Sequence, residues 1–424
     1  MTTALSRSAN TALPQVSGHQ PALEGMRALA ALLVLLFHVA METGDALAPG
    51  VGGALLAGGD MAVPLFFALS GLLLYRPWAN AAIDGEPGPS VRSYLRRRAA
   101  RILPAYWLVA VVALLLWSRE HLGTPRAWLE ILTLTFIYDP APWWTGTGPR
   151  GLGQMWSLCV EVAFYVLLPL LAVGLAMLAA RGSDPEGRAR ILLTGVAVLP
   201  VLSLAALVIQ FFPEPRLHLH AWPPRALGLF AVGMALAVLA RWAWWERDAA
   251  GPVRRFCQTL AASPGLCWSV AAAAYLLGCT PLTGDRFRGA EDFWAGVAEL
   301  LVTMVFAFFL IAPLALLPQE PTARPSWLRT FLEHRTMRFL GRVSYGIFLW
   351  QFVVLYLWRD VTNQEAFTGF FPLDLVPVAA GTILLAAATY YWVEQPIMAR
   401  VTRRPDASAT PEPADADRAT APQR

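Results

Sequence analysis

The chain has 424 residues, 56% hydrophobic and 15% charged, with 33 basic side chains against 29 acidic ones. Soluble globular domains carry about a quarter charged residues, so an ordinary soluble fold is excluded. Every basic residue is arginine, and the arginines sit at the ends of apolar runs instead of on one compact face, which argues against a nucleic-acid surface.

Residues 1–20 lack an apolar core and read as a disordered cytoplasmic tail. The first apolar run begins at Pro21-Ala22, too late and too long for a cleaved signal peptide. From there the runs, mostly about 17–25 residues, are long enough to cross a hydrocarbon core of roughly 30 Å. They predict an all-α polytopic membrane bundle of ten transmembrane helices near 22–42, 60–78, 102–118, 156–180, 191–212, 224–245, 266–280, 293–317, 338–358 and 375–394. A weaker apolar stretch, Trp128–Tyr138, reads as a re-entrant or interfacial helix. No polar stretch between spans is long enough to fold alone, so residues 21–397 form one membrane-embedded domain. Residues 398–424 are Pro/Ala/Asp-rich and read as a second disordered cytoplasmic tail.

This layout places 25 arginines on one side of the membrane and 8 on the other. The rich side takes Arg7, Arg27, Arg76, the cluster Arg92 to Arg101, and the groups near 181–190, 241–255, 324–342 and 400–424. The poor side receives Arg119, Arg126, Arg150, Arg216, Arg225, Arg286, Arg288 and Arg359. The positive-inside rule puts both termini in the cytoplasm and the chain in the inner (plasma) membrane. Trp117, Trp156, Trp222, Trp242, Trp244, Trp245, Trp294 and Trp358 fall at span ends, as interfacial belts require. Cys159, Cys257, Cys267 and Cys279 form no C-x-x-C pair, so neither a metal site nor a disulfide framework is indicated.

Ionisable groups inside spans are costly and mark function by default. The first span holds Glu24, Arg27 and His38. Arg27 and His38 lie about three turns apart and only ~20° apart around the axis, while Glu24 is spaced to pair with Arg27. This polar stripe should face the bundle interior, with His38 in the outer half of the membrane. Glu161, five residues into the fourth span, is placed at a similar depth. A histidine meeting a carboxylate there makes a general base with its orienting partner, against the competing reading of a structural interhelical bond. Ser70-Gly71 in the second span reads chiefly as a close-packing position. Arg96, Arg97, Arg98 and Arg101 suit bidentate phosphate binding, with topogenic and lipid-headgroup roles competing. Glu299 has no evident partner, and His121, His218, His220 and His334 fall in loops.

Six segments in one order, LEGMRALAALLVLLFH, VPLFFALSGLLL, RRRAARILPAYW, MWSLCVEVAFY, LGRVSYGIFLWQ and WVEQP, resemble the acyltransferase 3 family of integral-membrane acyltransferases from about Leu23 to Pro396. The resemblance implies transfer of an acyl group, often acetyl, from cytoplasmic acyl-CoA to a hydroxyl of a sugar, glycan, glycolipid or glycosylated natural product. It implies that Arg27 and His38 match the hallmark pair of the family, with His38 catalytic, and that Arg98 and Arg101, with Arg97 beside them, hold the phosphates of CoA. The Ser-Leu-x-x-Glu element of the family matches Ser157, Leu158 and Glu161, following Trp156. Two positions depart from the pattern. Val162 stands where a second acidic residue is usual, and Gln351 replaces the histidine of a Tyr-Leu-Trp-His ending. The chain stops about thirty residues after its last span, which reads as a stand-alone member without a fused hydrolase-like domain. Acyl-CoA is thus expected as co-substrate and the bilayer and a hydroxylated acceptor as partners. A transporter or flippase is the rival class, although no internal repeat supports it.

Overall fold

The computed structural model describes residues 13–402 apart from 140, 249, 286–288 and 319–324. Arg7, Arg286, Arg288, Arg324, Arg403, Arg404, Arg418 and Arg424, and most of both expected tails, lie outside the described residues.

In a hydrocarbon environment every backbone N–H and C=O must be bonded within the protein, and long apolar helices meet that demand. Eleven helices matter here. They are α1 (Pro21–Glu42), α2 (Ala62–Asp84), α3 (Val91–Trp117), α4 (Trp156–Ala179), α5 (Pro185–Phe211), α6 (Pro223–Trp245), α7 (Pro252–Ala262), α8 (Pro264–Gly278), α9 (Phe293–Ala315), α10 (Arg335–Thr362) and α11 (Phe371–Thr389). Proline opens α1, α5, α6, α7 and α8, where its missing N–H costs nothing. Asp184 and Asp292 cap α5 and α9 by accepting from first-turn N–H groups.

Among the described residues nine helices are long and apolar enough to cross a membrane, and the pair α7–α8, bent by 79°, supplies a tenth crossing if it is one span. The chain is a multi-pass membrane helical bundle. The Trp128–Tyr138 stretch becomes a short helix, Pro125–Leu132, and a single 3₁₀ turn at Phe136–Tyr138.

Two packed groups build the bundle. One sets α6, the most buried span, against α2 and α5, with α9 beside it and α8 packed on α9; the other sets α10 against α1 and α11. Small residues bring the backbones together. A Cβ on Gly71 would strike the Phe230 carbonyl, and one on Gly233 would strike the Ala68 carbonyl, so α2 and α6 touch along a glycine seam.

Residues 13–20 do not form the free tail expected of them. Leu13 and Val16 are buried, and backbone groups along the segment bond to Leu317, Trp244, Asn80 and Arg76. Two apolar side chains and these hydrogen bonds together seat it across the ends of α2, α6 and α9. At the other terminus, residues 398–402 continue a short helix, Gln395–Thr402.

Candidate active site

The cavity that gathers the polar residues of the first four spans lies between α1, α2, α3, α4 and α10. Arg27, Ser70, Arg98, Arg101, Ser157, Glu161, Tyr165, Ser344 and Tyr345 line it, with Val63, Phe66 and Phe348 among its apolar walls. Of the expected site residues, it therefore unites Arg27, Ser70, Arg98, Arg101, Ser157 and Glu161. His38, Arg97, Glu24 and Trp156 are not part of its wall.

Arg27 makes no hydrogen bond or ion pair with any described residue, and the buried Nε of Arg98 has no partner either. Arg101 differs. Its Nη1 lies 2.6 Å from Oε2 of the buried Glu394, which sits in a π-helical turn, Tyr390–Glu394, at the end of α11. Arg97 turns to Ser93 instead, at 2.5 Å. Two unpaired guanidinium groups facing one enclosed space form a site for an anion, because their hydrogen-bonding capacity is unspent.

Glu161 accepts hydrogen bonds from the Ser70 hydroxyl and the Tyr165 phenol. Ser70 is thus more than a packing position; its neighbour Gly71 does the packing. Glu24 does not pair with Arg27. It lies 3.6 Å from both His19 and Arg338, because α1 turns its first carboxylate toward α10 and the docked N-terminal segment. Glu299 has a partner after all: Arg225 Nη2 lies 3.1 Å away, across from the start of α6. Ser157 bonds the Gln154 carbonyl at 3.0 Å, and Trp156 opens α4 against His220, ring centroids 5.3 Å apart.

The expected contact between His38 and Glu161 is absent among the described residues, and the reason is depth. The loop before α4 dips into the bundle: Gln154 is buried and donates to the Phe348 and Leu349 carbonyls, near the middle of α10. Helix α4 therefore starts deeper than a span starting at the membrane surface. Its carboxylate reaches the level of Arg27, which is about 16 Å along α1 from His38.

His38 is held by a residue the sequence left in doubt. Its Nδ1 lies 3.1 Å from Oε1 of the buried Gln351. The Gln351 amide donates from Nε2 to the Phe348 carbonyl at 3.0 Å, which fixes Oε1 toward the histidine. A carboxamide oxygen only accepts, so Nδ1 carries the proton and Nε2 of the neutral ring is left as the free base. Phe352 packs on the same ring, centroids 4.3 Å apart.

Sequence reasoning missed Tyr165, Glu394 and Gln351 as site residues. Tyr165 stands four residues after Glu161, on the same helix face, and Glu394 is a lone acid at the end of an apolar run; both signals were available. Among the described residues no group of three or more His, Cys, Asp or Glu is arranged to hold a metal ion.

The family model described as "Acyltransferase domain" (Acyl_transf_3) matches residues 20–391, from the start of α1 into the π-helical turn. The chain belongs to the acyltransferase 3 family. Among its relatives in that family, YrhL of Bacillus subtilis (strain 168), named as a candidate peptidoglycan O-acetyltransferase, is 28% identical over 89% of this chain and 54% of its own length. The peptidoglycan O-acetyltransferase OatA of Listeria monocytogenes is 24% identical over 89% of this chain and 55% of its own. The acyltransferase MdmB of Streptomyces mycarofaciens is 27% identical over 93% of this chain and 95% of its own. The chain thus spans about half the length of the first two relatives and nearly all of the third. No solved structure matches it.

Proposed function

We propose that the chain is a membrane O-acyltransferase that moves an acyl group, acetyl in the simplest case, from cytoplasmic acyl-CoA to a hydroxyl of a sugar, glycan, glycolipid or glycosylated natural product. The relatives named as O-acetyltransferases support the reaction class. The arginine excess supports an inner-membrane setting with both ends in the cytoplasm and the arginine cavity opening to that side.

One observation carries the reading: a single face of α10 joins an anion site to a prepared base. Phe348 lines the arginine cavity, and one turn on, Gln351 holds His38 with Nε2 free. The phosphates of CoA dock on Arg98 and Arg27, with Arg101 contributing less because Glu394 already neutralises it. The pantetheine arm runs along the wall of Phe66 and Phe348 toward His38. Nε2 takes the proton of the acceptor hydroxyl as its oxygen attacks the thioester carbonyl; the C–S bond breaks, and the CoA thiolate recovers the proton from the imidazolium. In the alternative route Nε2 itself accepts the acyl group and passes it on. Either route uses the same atom. Glu161, bonded to Ser70 and Tyr165, shapes the cavity beside Arg27 and does not orient the base. The deciding experiment follows free thiol as purified protein in nanodiscs meets acetyl-CoA and a glycan-containing extract; no release above the rate without protein refutes the transferase.

A further inference from the structure

Four side chains at successive i, i+4 positions on α10, namely Phe348, Phe352, Tyr356 and Asp360, make a slowly winding stripe. It starts in the wall of the arginine cavity at Phe348 and passes His38, which sits on Phe352. Phe352 and Tyr356 then stack with centroids 5.3 Å apart and planes 20° from parallel. The stripe ends at the far end of the bundle, away from the arginine cavity, where the Asp360 side chain is 42% exposed.

Three further elements converge there. Trp117, at the end of α3, meets Tyr356 edge-on at 6.1 Å and donates to Asp360 at 2.8 Å. Arg150, on the loop before α4, pairs with Asp360 and lies over the Trp117 and Tyr356 rings at 5.4 and 5.2 Å. Glu42, from the end of α1, accepts from the Tyr356 phenol at 2.9 Å.

A bland account exists: tryptophan and tyrosine favour the membrane interface, and ion pairs tie helix ends together. That explains Trp117. It does not explain why the aromatic rings run without a break to the imidazole, nor why a half-exposed guanidinium lies over two of them with a half-exposed carboxylate beside it.

We infer that this stripe is the acceptor subsite and that it takes a polyhydroxylated ring, a pyranose unit of a glycan or glycoside. The inference rests on the transferase reading and gives its acceptor a place. The C–H side of such a ring takes the place of Arg150 over the Trp117 and Tyr356 faces, and the freed guanidinium and the Asp360 carboxylate exchange hydrogen bonds with its hydroxyls. Acceptor and donor then approach His38 from opposite ends of one helix face. The pyranose arrives either on a soluble chain or on a lipid; the chemistry at the stripe is shared.

Saturation-transfer NMR on the full chain in nanodiscs tests this without any acyl donor, using chitotetraose as the soluble probe and octyl glucoside, below its micelle concentration, as the lipid-borne one. Wild type should pass saturation to the ring protons of at least one probe, and which one identifies the source. The signal should fall at least fivefold in Tyr356→Leu and in Asp360→Asn, which keeps an acceptor oxygen at the rim, and survive in Tyr356→Phe. His38→Ala should leave it in place, so loss of transfer and loss of sugar binding are separate results. No signal from wild type with either probe, or an undiminished signal in both Tyr356→Leu and Asp360→Asn, overturns the subsite.

Discussion

The Nδ1 of His38 on α1 and the Oε1 of Gln351 on α10 stand 3.1 Å apart, 313 residues distant in sequence. That bond dictates the tautomer of the ring. Gln351→Leu keeps the volume and removes the acceptor, so the ring loses its fixed tautomer. A neutral hydrogen bond contributes about 0.5–1.5 kcal/mol, which sets the expected loss in kcat at up to about tenfold. The KM for acyl-CoA should not move. Steady-state kinetics separate the two, and a rise in KM at constant kcat would reassign Gln351 to donor binding.

His38 itself carries the larger effect. General-base contributions run to about 10²–10⁴-fold, so His38→Ala should reduce thiol release by that factor while the protein still reaches the membrane and elutes as a single species. Release at the wild-type rate would remove the imidazole from the chemistry.

The arginines of the cavity should act on donor affinity. A charge-assisted hydrogen bond contributes about 1.5–3 kcal/mol, or roughly 10- to 100-fold in apparent affinity. Arg98→Ala and Arg27→Ala are each expected to raise the KM for acyl-CoA within that range, and Arg101→Ala to do less, since Glu394 shares its charge. Arg97→Ala, which removes a side chain turned to Ser93 outside the cavity, should leave donor KM within twofold. Titrating acyl-CoA against the four variants gives the ranking; an Arg97 effect equal to that of Arg98 would show that the cluster acts only as a diffuse field.

Stability should be most sensitive along the glycine seam of α2 and α6. A side chain at Gly233 must push against the Ala68 carbonyl, a backbone group that cannot rotate away. Overpacking costs about 1–3 kcal/mol, so Gly233→Ala should lower the thermal unfolding midpoint in detergent. Gly174→Ala, where an added Cβ meets nothing within 4 Å, should not. Equal melting of the two variants would contradict the packing described.

Much of this architecture is legible in the sequence because the bilayer simplifies the problem. An apolar run must be a helix, its length must match the membrane, and its arginines report its direction. Arg27, Arg98, Arg101 and Glu161 stand out as charges within or beside spans and Ser157 through the family resemblance, and the structure does place them around one cavity. What could not be read is the pairing of helices and the depth at which each begins. Counting from Trp156 matches Glu161 to His38, but Gln154 anchors the preceding loop to the middle of α10 and carries the carboxylate into the cavity that Arg27 lines. Gln351 looked like the loss of a histidine; only three-dimensional neighbours reveal that its amide oxygen faces another histidine. The N-terminal segment misled for a different reason. Two buried apolar residues, Leu13 and Val16, are too few to register in composition, yet together with the segment's hydrogen bonds they suffice when a ready surface receives them.

The π-helical turn at Tyr390–Glu394 brings a buried acid into place beside Arg101, which lines the cavity. During synthesis the ribosome delivers Arg27, Arg98, Arg101 and Glu161 long before residue 394 emerges. A nascent chain therefore carries Arg101 through most of its synthesis with its carboxylate partner still unmade. Truncation just ahead of Glu394 would leave that charge stranded for good, and such fragments should be prime clients for membrane quality-control proteases.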